Sequence, residues 1–329
     1  MNHCHRRALL LSAAVLSACL MVTSALATAS PEAAPTNAPP IAQNQEFETC
    51  KNVAYTGRLA ATDPEGDLIT FQLSDKPARG SVDIATDGSG TFVYTPYENK
   101  TGKDSFTFVA VDDKGNTSQS AKVSIRIRKP STKVTYADMA GEASYNAAIR
   151  LAEEKVMVGE CVGGKYYFRP DAPVSRSEFV TMAMSALDLE PLSSVSATGF
   201  ADDEAIPTWA KGYVSSALRS GVVRGYPDQT GKVVFGPDNT VTRAEAAVMI
   251  DRLISTTDVA ATTFYADTTT APAWAFQAAV NLETAGVLQT DEVGALALGT
   301  TLTRGQAAQL LASAMDVVEA RETSGWFNW

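Results

Sequence analysis

The sequence predicts a chain of two unlike parts, an all-β sandwich followed by a mainly α region built from three repeated units. Three observations predict it. Apolar residues alternate with a period of two from Ile41 to Arg128, the period changes after that, and one short motif then occurs three times. The motif is clearest at Val241-Thr242-Arg243-Ala244-Glu245, with looser copies at Val174-Ser175-Arg176-Ser177-Glu178 and Leu302-Thr303-Arg304-Gly305-Gln306.

The first residues read as an export signal. Arg6 and Arg7 supply a positive end, an apolar run begins at Ala8, and Ala25-Leu26-Ala27 offers a signal-peptidase site, which gives a signal over residues 1–27. Leu16-Ser17-Ala18-Cys19 also fits the box that precedes a lipid-modified cysteine, although cleavage there leaves Leu20-Met21-Val22 where a polar tether is usual. Either route exports the protein. Cleavage after Ala27 removes His3 and His5, the two histidines of the chain. Of 27 lysines and arginines two leave with the signal, so 25 basic residues face 37 acidic ones and the formal net charge becomes −12. Nucleic acid and anionic lipid both require a basic footprint, which argues against either as a partner. No second apolar run is long enough to span a bilayer.

Residues 28–40, with Ala38-Pro39-Pro40, form an extended leader. The sandwich follows over residues 41–128. Strands are expected near 46–49, 53–59, 68–73, 81–84, 91–94, 105–111 and 121–127, with alternation clearest in Phe106, Phe108 and Ala110 and in Val123, Ile125 and Ile127. Turn sequences such as Asp63-Pro64-Glu65-Gly66-Asp67 and Asp113-Lys114-Gly115-Asn116 separate them. Cys50 and Cys161 remain after cleavage, either bridged across a domain boundary or left as two thiols.

Each copy of the repeated motif places a Ser or Thr three residues before Glu or Gln, the capping-box signature of a helix start, with arginine in the first turn. Apolar residues then follow at matching offsets: Phe179, Met182 and Ala183; Ala246, Met249 and Ile250; Ala307, Leu310 and Leu311. Upstream, Tyr136-Ala137-Asp138, Phe200-Ala201-Asp202 and Tyr265-Ala266-Asp267 each precede a large aromatic, Tyr145, Trp209 or Trp274, which opens a second helix. The units fall at 134–191, 192–256 and 257–319, and an aromatic tail over 320–329 ends in Trp326-Phe327-Asn328-Trp329.

These motifs resemble S-layer homology domains, with the second unit nearest the family pattern: Phe200-Ala201-Asp202, Ile206-Pro207-Thr208-Trp209-Ala210, Gly225-Tyr226, Phe235-Gly236-Pro237 and the Thr-Arg-Ala-Glu box. The resemblance implies a pseudo-threefold trimer within one chain. It further implies grooves that hold a secondary cell-wall polysaccharide or other peptidoglycan-linked glycan, often pyruvylated, and non-covalent anchoring at the cell surface. The sandwich resembles bacterial cadherin-like, immunoglobulin-like modules through its Asp-Pro-Glu-Gly-Asp turn and Asp104-Ser105-Phe106-Thr107-Phe108, which implies a spacer or adhesive unit, sometimes with calcium. Asp63, Glu65, Asp67 and Asp112 are the candidate calcium ligands, the alternative being a solvated turn shaped by Pro64 and Gly66.

The candidate glycan-binding residues are Arg243, Arg176, Arg304, Trp209, Trp274, Tyr145 and Asp202. An arginine at a helix N-terminus joins a bidentate cation to free N–H groups, a combination suited to a carboxylate or phosphate. Arg243 is expected to dominate. Tyr145 and Ser177 depart from the pattern in the first unit. In the third, Gly305 and Gln306 depart, and no Gly-Tyr-Pro-Asp follows Leu288. Two other functions compete with anchoring. An adhesin or S-layer structural protein would bind a surface partner, or self-assemble, through the sandwich. A glycan hydrolase would need paired carboxylates, since no histidine survives export.

Overall fold

A computed structural model describes residues 37–261, 264–291 and 293–323. The export signal, Cys19, most of the leader and the aromatic residues of the tail lie outside the described residues.

The first module comprises strands β1 (Ile41–Ala42), β2 (Gln45–Cys50), β3 (Tyr55–Arg58), β4 (Ala61–Thr62), β5 (Ile69–Asp75), β6 (Gly80–Ile84), β7 (Thr91–Pro96), β8 (Gly102–Asp112) and β9 (Ala121–Arg128). One sheet runs β2-β9-β8-β5 and the other β3-β7-β6, with β1 paired to β4. The seven strands expected from alternation are all present. The two additional strands are two residues each, too short to carry a period. Phe106, Phe108, Val123, Ile125 and Ile127 from one sheet meet Phe92 and Tyr94 from the other in a single buried cluster. Each such side chain contributes roughly 1.5–3 kcal/mol.

The second region contains α1 (Tyr145–Glu153), the hairpin β10 (Glu160–Val162) and β11 (Lys165–Tyr167), α2 (Arg176–Ala186), α3 (Thr208–Arg219), the hairpin β12 (Tyr226–Pro227) and β13 (Val233–Val234), α4 (Arg243–Ile254), α5 (Ala273–Thr284) and α6 (Arg304–Thr323). The three repeated boxes open α2, α4 and α6, and the three upstream aromatics fall at the starts of α1, α3 and α5. Both hairpins turn out of the preceding loop through a glycine with positive φ. At Gly225 (φ +68°) a Cβ would lie 2.6 Å from the Phe200 ring and 2.7 Å from the Val234 carbonyl. The third unit has no glycine at this place and, among the described residues, no hairpin. Its turn survives because Asp291 Oδ1 accepts from the N–H of Ala295 (2.8 Å), as Asp228 Oδ1 does from Lys232 (2.9 Å).

The residue before each box meets its two counterparts in a closed ring. The Val174 N–H donates to the Leu302 carbonyl (3.2 Å), Leu302 to Val241 (2.8 Å) and Val241 back to Val174 (3.0 Å). All three side chains are fully buried. Around the ring, Ser175 and Thr242 complete capping boxes with Glu178 and Glu245. Thr303 does so with Gln306, whose Oε1 accepts from the Thr303 N–H (3.1 Å). An amide oxygen therefore replaces the carboxylate without loss of the cap.

The sandwich is docked on α1. The Asn146 carboxamide accepts from the Cys50 N–H and the Thr49 hydroxyl (both 3.1 Å) and donates to the Ala54 carbonyl (3.3 Å). Arg128 pairs with Glu153 (2.8 Å), which also accepts from the Ser131 N–H in the linker (2.6 Å). Cys50 and Val53 are buried in the helical core rather than in the sandwich core. No disulfide crosses this boundary: Cys50 is a buried thiol and Cys161 an exposed one on β10.

Leu302→Ala should cost about 2–5 kcal/mol, the range for a fully buried leucine. Because the ring joins all three units, hydrogen exchange should accelerate in α2 and α4 as well as α6. Burial raises the Cys50 thiol to about 11 from an ordinary 9.0. At pH 8.5 a thiol reagent should therefore label Cys161 in the native protein and reach Cys50 only on unfolding. The unfolded state loses the Cys50 proton first, so this group makes stability fall as pH rises from about 9 to about 11, which chemical denaturation at several pH values would measure.

Candidate functional site

Two related grooves lie between the units, each flanked by a box helix, the arginine of another unit and the start of an upstream helix. The helix N-termini themselves are not anion sites. The N–H groups of Arg176 and Ser177 donate to Asn239 and Pro237 (2.8 and 3.0 Å), those of Arg243 and Ala244 to Thr300 and Leu298 (both 2.9 Å), and those of Arg304 and Gly305 to Ala172 and Pro170 (both 2.8 Å). The expectation that backbone donors would help hold an anion is thereby corrected. These donors close the trimer instead, each helix being capped by the loop that precedes the box of another unit.

The same contacts explain two departures in the boxes. A Cβ at Gly305 would lie 2.9 Å from Ser144 Oγ, so the close approach of unit one to α6 favours glycine. Ser177 is buried and its hydroxyl donates to the Pro237 carbonyl (2.9 Å), which satisfies a group that would otherwise be costly there.

Asp202 acts within the scaffold. Its two oxygens accept from the N–H groups of Phe235 (2.8 Å) and Gly236 (2.7 Å). Asp138 binds Phe168 and Arg169 in the same way (2.9 and 2.7 Å), and Asp267 binds Leu296 and Ala297 (2.8 and 2.9 Å). In the first and third units the aspartate clamps the loop whose first carbonyl, of Phe168 or Leu296, receives the Nε of Arg304 or Arg243. Sequence reasoning missed this pairing, although each aspartate precedes its clamped Phe-x-Pro or Leu-x-Leu segment by about the same interval.

The three arginines meet different surroundings. Arg304 donates from Nε to the Phe168 carbonyl (2.8 Å), lies 5.1 Å over the Phe168 ring, and lines a groove of 540 Å³ with Arg169, Glu178, Met182 and Trp209. Trp209 is 56% exposed there. Arg243 makes the equivalent bond to the Leu296 carbonyl (2.8 Å) and a second from Nη2 to the Gln289 carbonyl. Its groove is closed on the far side by the sandwich, which contributes Glu48, Cys50 and Thr56 to the lining. Arg176 is buried. Its Nη1 pairs with Glu245 Oε1 (3.0 Å), its guanidinium lies 5.4 Å from the Phe235 ring and 5.9 Å from that of Tyr226, and its Nε has no partner. Burial lowers the pKa of all three guanidinium groups, and nearby carboxylates offset it.

Of the other aromatics, Trp274 at the start of α5 is 63% exposed. Tyr145 is half-buried, packed on the helical core with its ring 6.2 Å from that of Tyr136. Arg304 and Trp209 are thus brought together in one open groove, Arg243 lies in a cleft walled on its far side by the Ig domain, and Arg176 is buried.

The acidic residues of the two turns bond to their own loops. Among the described residues no three His, Cys, Asp or Glu side chains are grouped so as to hold a metal. Asp63 Oδ1 accepts from the Glu65 and Asp67 N–H groups (both 3.0 Å), and Asp112 Oδ1 from Lys114 and Asn116 (2.9 and 2.8 Å), so both carboxylates shape their own turns. Lys114 lies 2.6 Å from Asp113 and 3.9 Å from Asp67. Oδ2 of Asp63 and of Asp67 is shielded without a hydrogen-bond partner.

A family model described as a bacterial Ig domain matches residues 37–126, and one described as an S-layer homology domain matches residues 199–247. The sandwich is therefore a bacterial Ig domain, and the best-formed helical unit carries an S-layer homology domain. Similar proteins include a surface-layer 125 kDa protein of Lysinibacillus sphaericus, 31% identical over 38% of this chain and 10% of its own. The cellulosome-anchoring protein of Acetivibrio thermocellus is 29% identical over 37% of this chain and 26% of its own. Exoglucanase XynX of the same species is 34% identical over 34% of this chain and 9% of its own. The chain thus spans about a quarter or less of the length of these relatives. Among the described residues no helix is long and apolar enough to cross a membrane.

Asp202→Ala should leave the Phe235 and Gly236 N–H groups without their acceptor and lower stability by about 1–3 kcal/mol, read from the denaturation midpoint. A loss confined to ligand binding, with the midpoint unchanged, would instead make Asp202 a ligand contact.

Proposed function

We propose that this is a bacterial cell-surface protein anchored non-covalently to the wall through an anionic polysaccharide, with the groove of Arg304 and Trp209 as its principal site. The observation that carries this reading is the pairing of a fixed cation with an exposed indole face in one open groove. Arg304 is already oriented by the Phe168 carbonyl and ring, so little of its side-chain entropy remains to be lost on binding. A carboxylate on a sugar, such as a pyruvate ketal, would meet the guanidinium while the apolar face of the ring rests on Trp209. A site of this type is chiefly apolar surface with a few placed polar groups.

Charge supports a local rather than a diffuse mode of binding. The chain has 27 basic and 37 acidic residues, and its net negative charge repels a polyanion at long range. Attraction must then come from individual desolvated arginines, which makes binding sensitive to single substitutions. Arg304 replaces Arg243 as the residue on which binding depends most, because the Ig domain closes the Arg243 groove and Glu245 neutralises Arg176. The role is one of attachment and not of catalysis, in keeping with relatives named for surface layers and anchoring.

Co-sedimentation with purified wall sacculi, before and after acid removal of their secondary polymer, tests the reading. Binding should vanish on stripping and weaken at least tenfold in Arg304→Ala and in Trp209→Ala, a loss of about 1.4 kcal/mol or more for each. Arg176→Ala should retain binding. Binding that survives stripping, or that is unaffected in both groove variants, would overturn the assignment.

A further inference from the structure

We infer that β5, the outer strand of the four-stranded sheet in the Ig domain, pairs with β5 of a second copy of this chain across a twofold axis. The sheet order β2-β9-β8-β5 leaves one side of β5 without a neighbouring strand among the described residues. The backbone groups on that side follow from the pairing on the other. Phe71 stands opposite Ala110 on β8, and both backbone groups of Ala110 are taken by Ser118: its N–H donates to the Ser118 hydroxyl (2.9 Å) and its carbonyl accepts from the Ser118 N–H (2.8 Å). Phe71 therefore directs its own N–H and carbonyl away from β8, and by the alternation of an antiparallel ladder Ile69 and Leu73 do the same. A row of donors and acceptors thus faces the open side, which is the template for one more strand.

The other three edges of the two sheets carry charge, and this one does not. β2 holds Glu46 and Glu48, and its end is seated on the Asn146 carboxamide. β3 ends in Arg58, whose carbonyl accepts from Gln45 Nε2 (2.9 Å), and β6 contains Asp83. From Leu68 to Ser74 there is no charged residue, proline or glycine, and the run is of the kind that pairs readily when exposed. The strand is also only partly covered. Ile69, Phe71 and Leu73 face the core yet remain half-buried, and Leu68 is 79% exposed. The sequence of β5 suits a second copy of itself. In an antiparallel pair centred on Phe71, Ile69 lies opposite Leu73 and Thr70 opposite Gln72. Apolar side chains then meet on the core face and uncharged polar ones on the outer face. Such an edge is its own complement, as a twofold interface requires. Asp67 and Asp75 would meet beyond the two ends of this segment, where Lys114 lies 3.9 Å from Asp67.

Sedimentation equilibrium of the chain without residues 1–27, over a concentration series, gives the test. The wild type should dimerise reversibly. Thr70 and Gln72 are exposed on the outer face, so substitutions there should leave the melting temperature of the dilute chain unchanged. Thr70→Lys combined with Gln72→Lys sets lysine opposite lysine at two places in the dimer and should weaken it roughly tenfold. Thr70→Lys combined with Gln72→Glu sets lysine opposite glutamate at the same two places and should hold the dimer at wild-type strength or tighten it. The contrast between the two double variants is specific to this register. A chain that stays monomeric throughout the series would overturn the inference. A dimer that neither double variant changes would place the contact elsewhere on the molecule, and one that both weaken alike would exclude the pairing centred on Phe71; either result also overturns it.

Discussion

Three backbone hydrogen bonds around one axis, joining Val174, Leu302 and Val241 in a closed ring, set the conditions for everything outside them. Each bond links one unit to another, and each ring residue directly precedes a helix cap. The ring therefore fixes where α2, α4 and α6 begin, and their first-turn donors are satisfied by the neighbouring units. Those donors would need solvent or a ligand in an isolated unit. A single unit is thus incomplete as a folded object, and burial of the box helices is shared among all three.

Within that common frame, differences of one residue give the grooves separate characters. Glu245 reaches across to Arg176 and converts a cation into an internal ion pair. Gln306 completes the cap through its amide oxygen but places no charge beside Arg243. Tyr145 packs against the core where Trp209 remains exposed. The Ig domain adds the largest asymmetry, because it covers one groove and leaves another free. Repetition of the scaffold coexists with divergence at the surface because the ring and the aspartate clamps bear the structural demands.

Much of this was legible in the sequence. Alternation at Phe106, Phe108, Val123, Ile125 and Ile127 gave the sheets, since one face of each strand had to be buried, and the Ser/Thr-x-x-Glu/Gln boxes located three helix starts. Physical reasons limit the rest. The loops that take the first-turn N–H groups lie more than fifty residues away in sequence, so the boxes looked like open anion sites when read locally. Asp202 carries the same ambiguity, because an aspartate that clamps a loop and one that binds a sugar are the same letter. The seating of the Ig domain depends on Asn146 and Glu153, polar residues on a helix face with no periodic signal, and Cys50 and Val53 gave no hint that they belong to a different core from the strands beside them.

The junction at α1 also has a mechanical meaning. An object attached to the Ig domain would pull on a short linker of residues 129–133, yet the load would not fall on that linker alone. Asn146, Glu153 and the buried pair Cys50 and Val53 lie in parallel with it, so tension is divided among contacts that must yield together. The axis of the threefold core would then be dragged as one piece with the domain it carries. Such a coupling turns a tether into a bracket, one that transmits torque as well as tension to whatever holds the grooves.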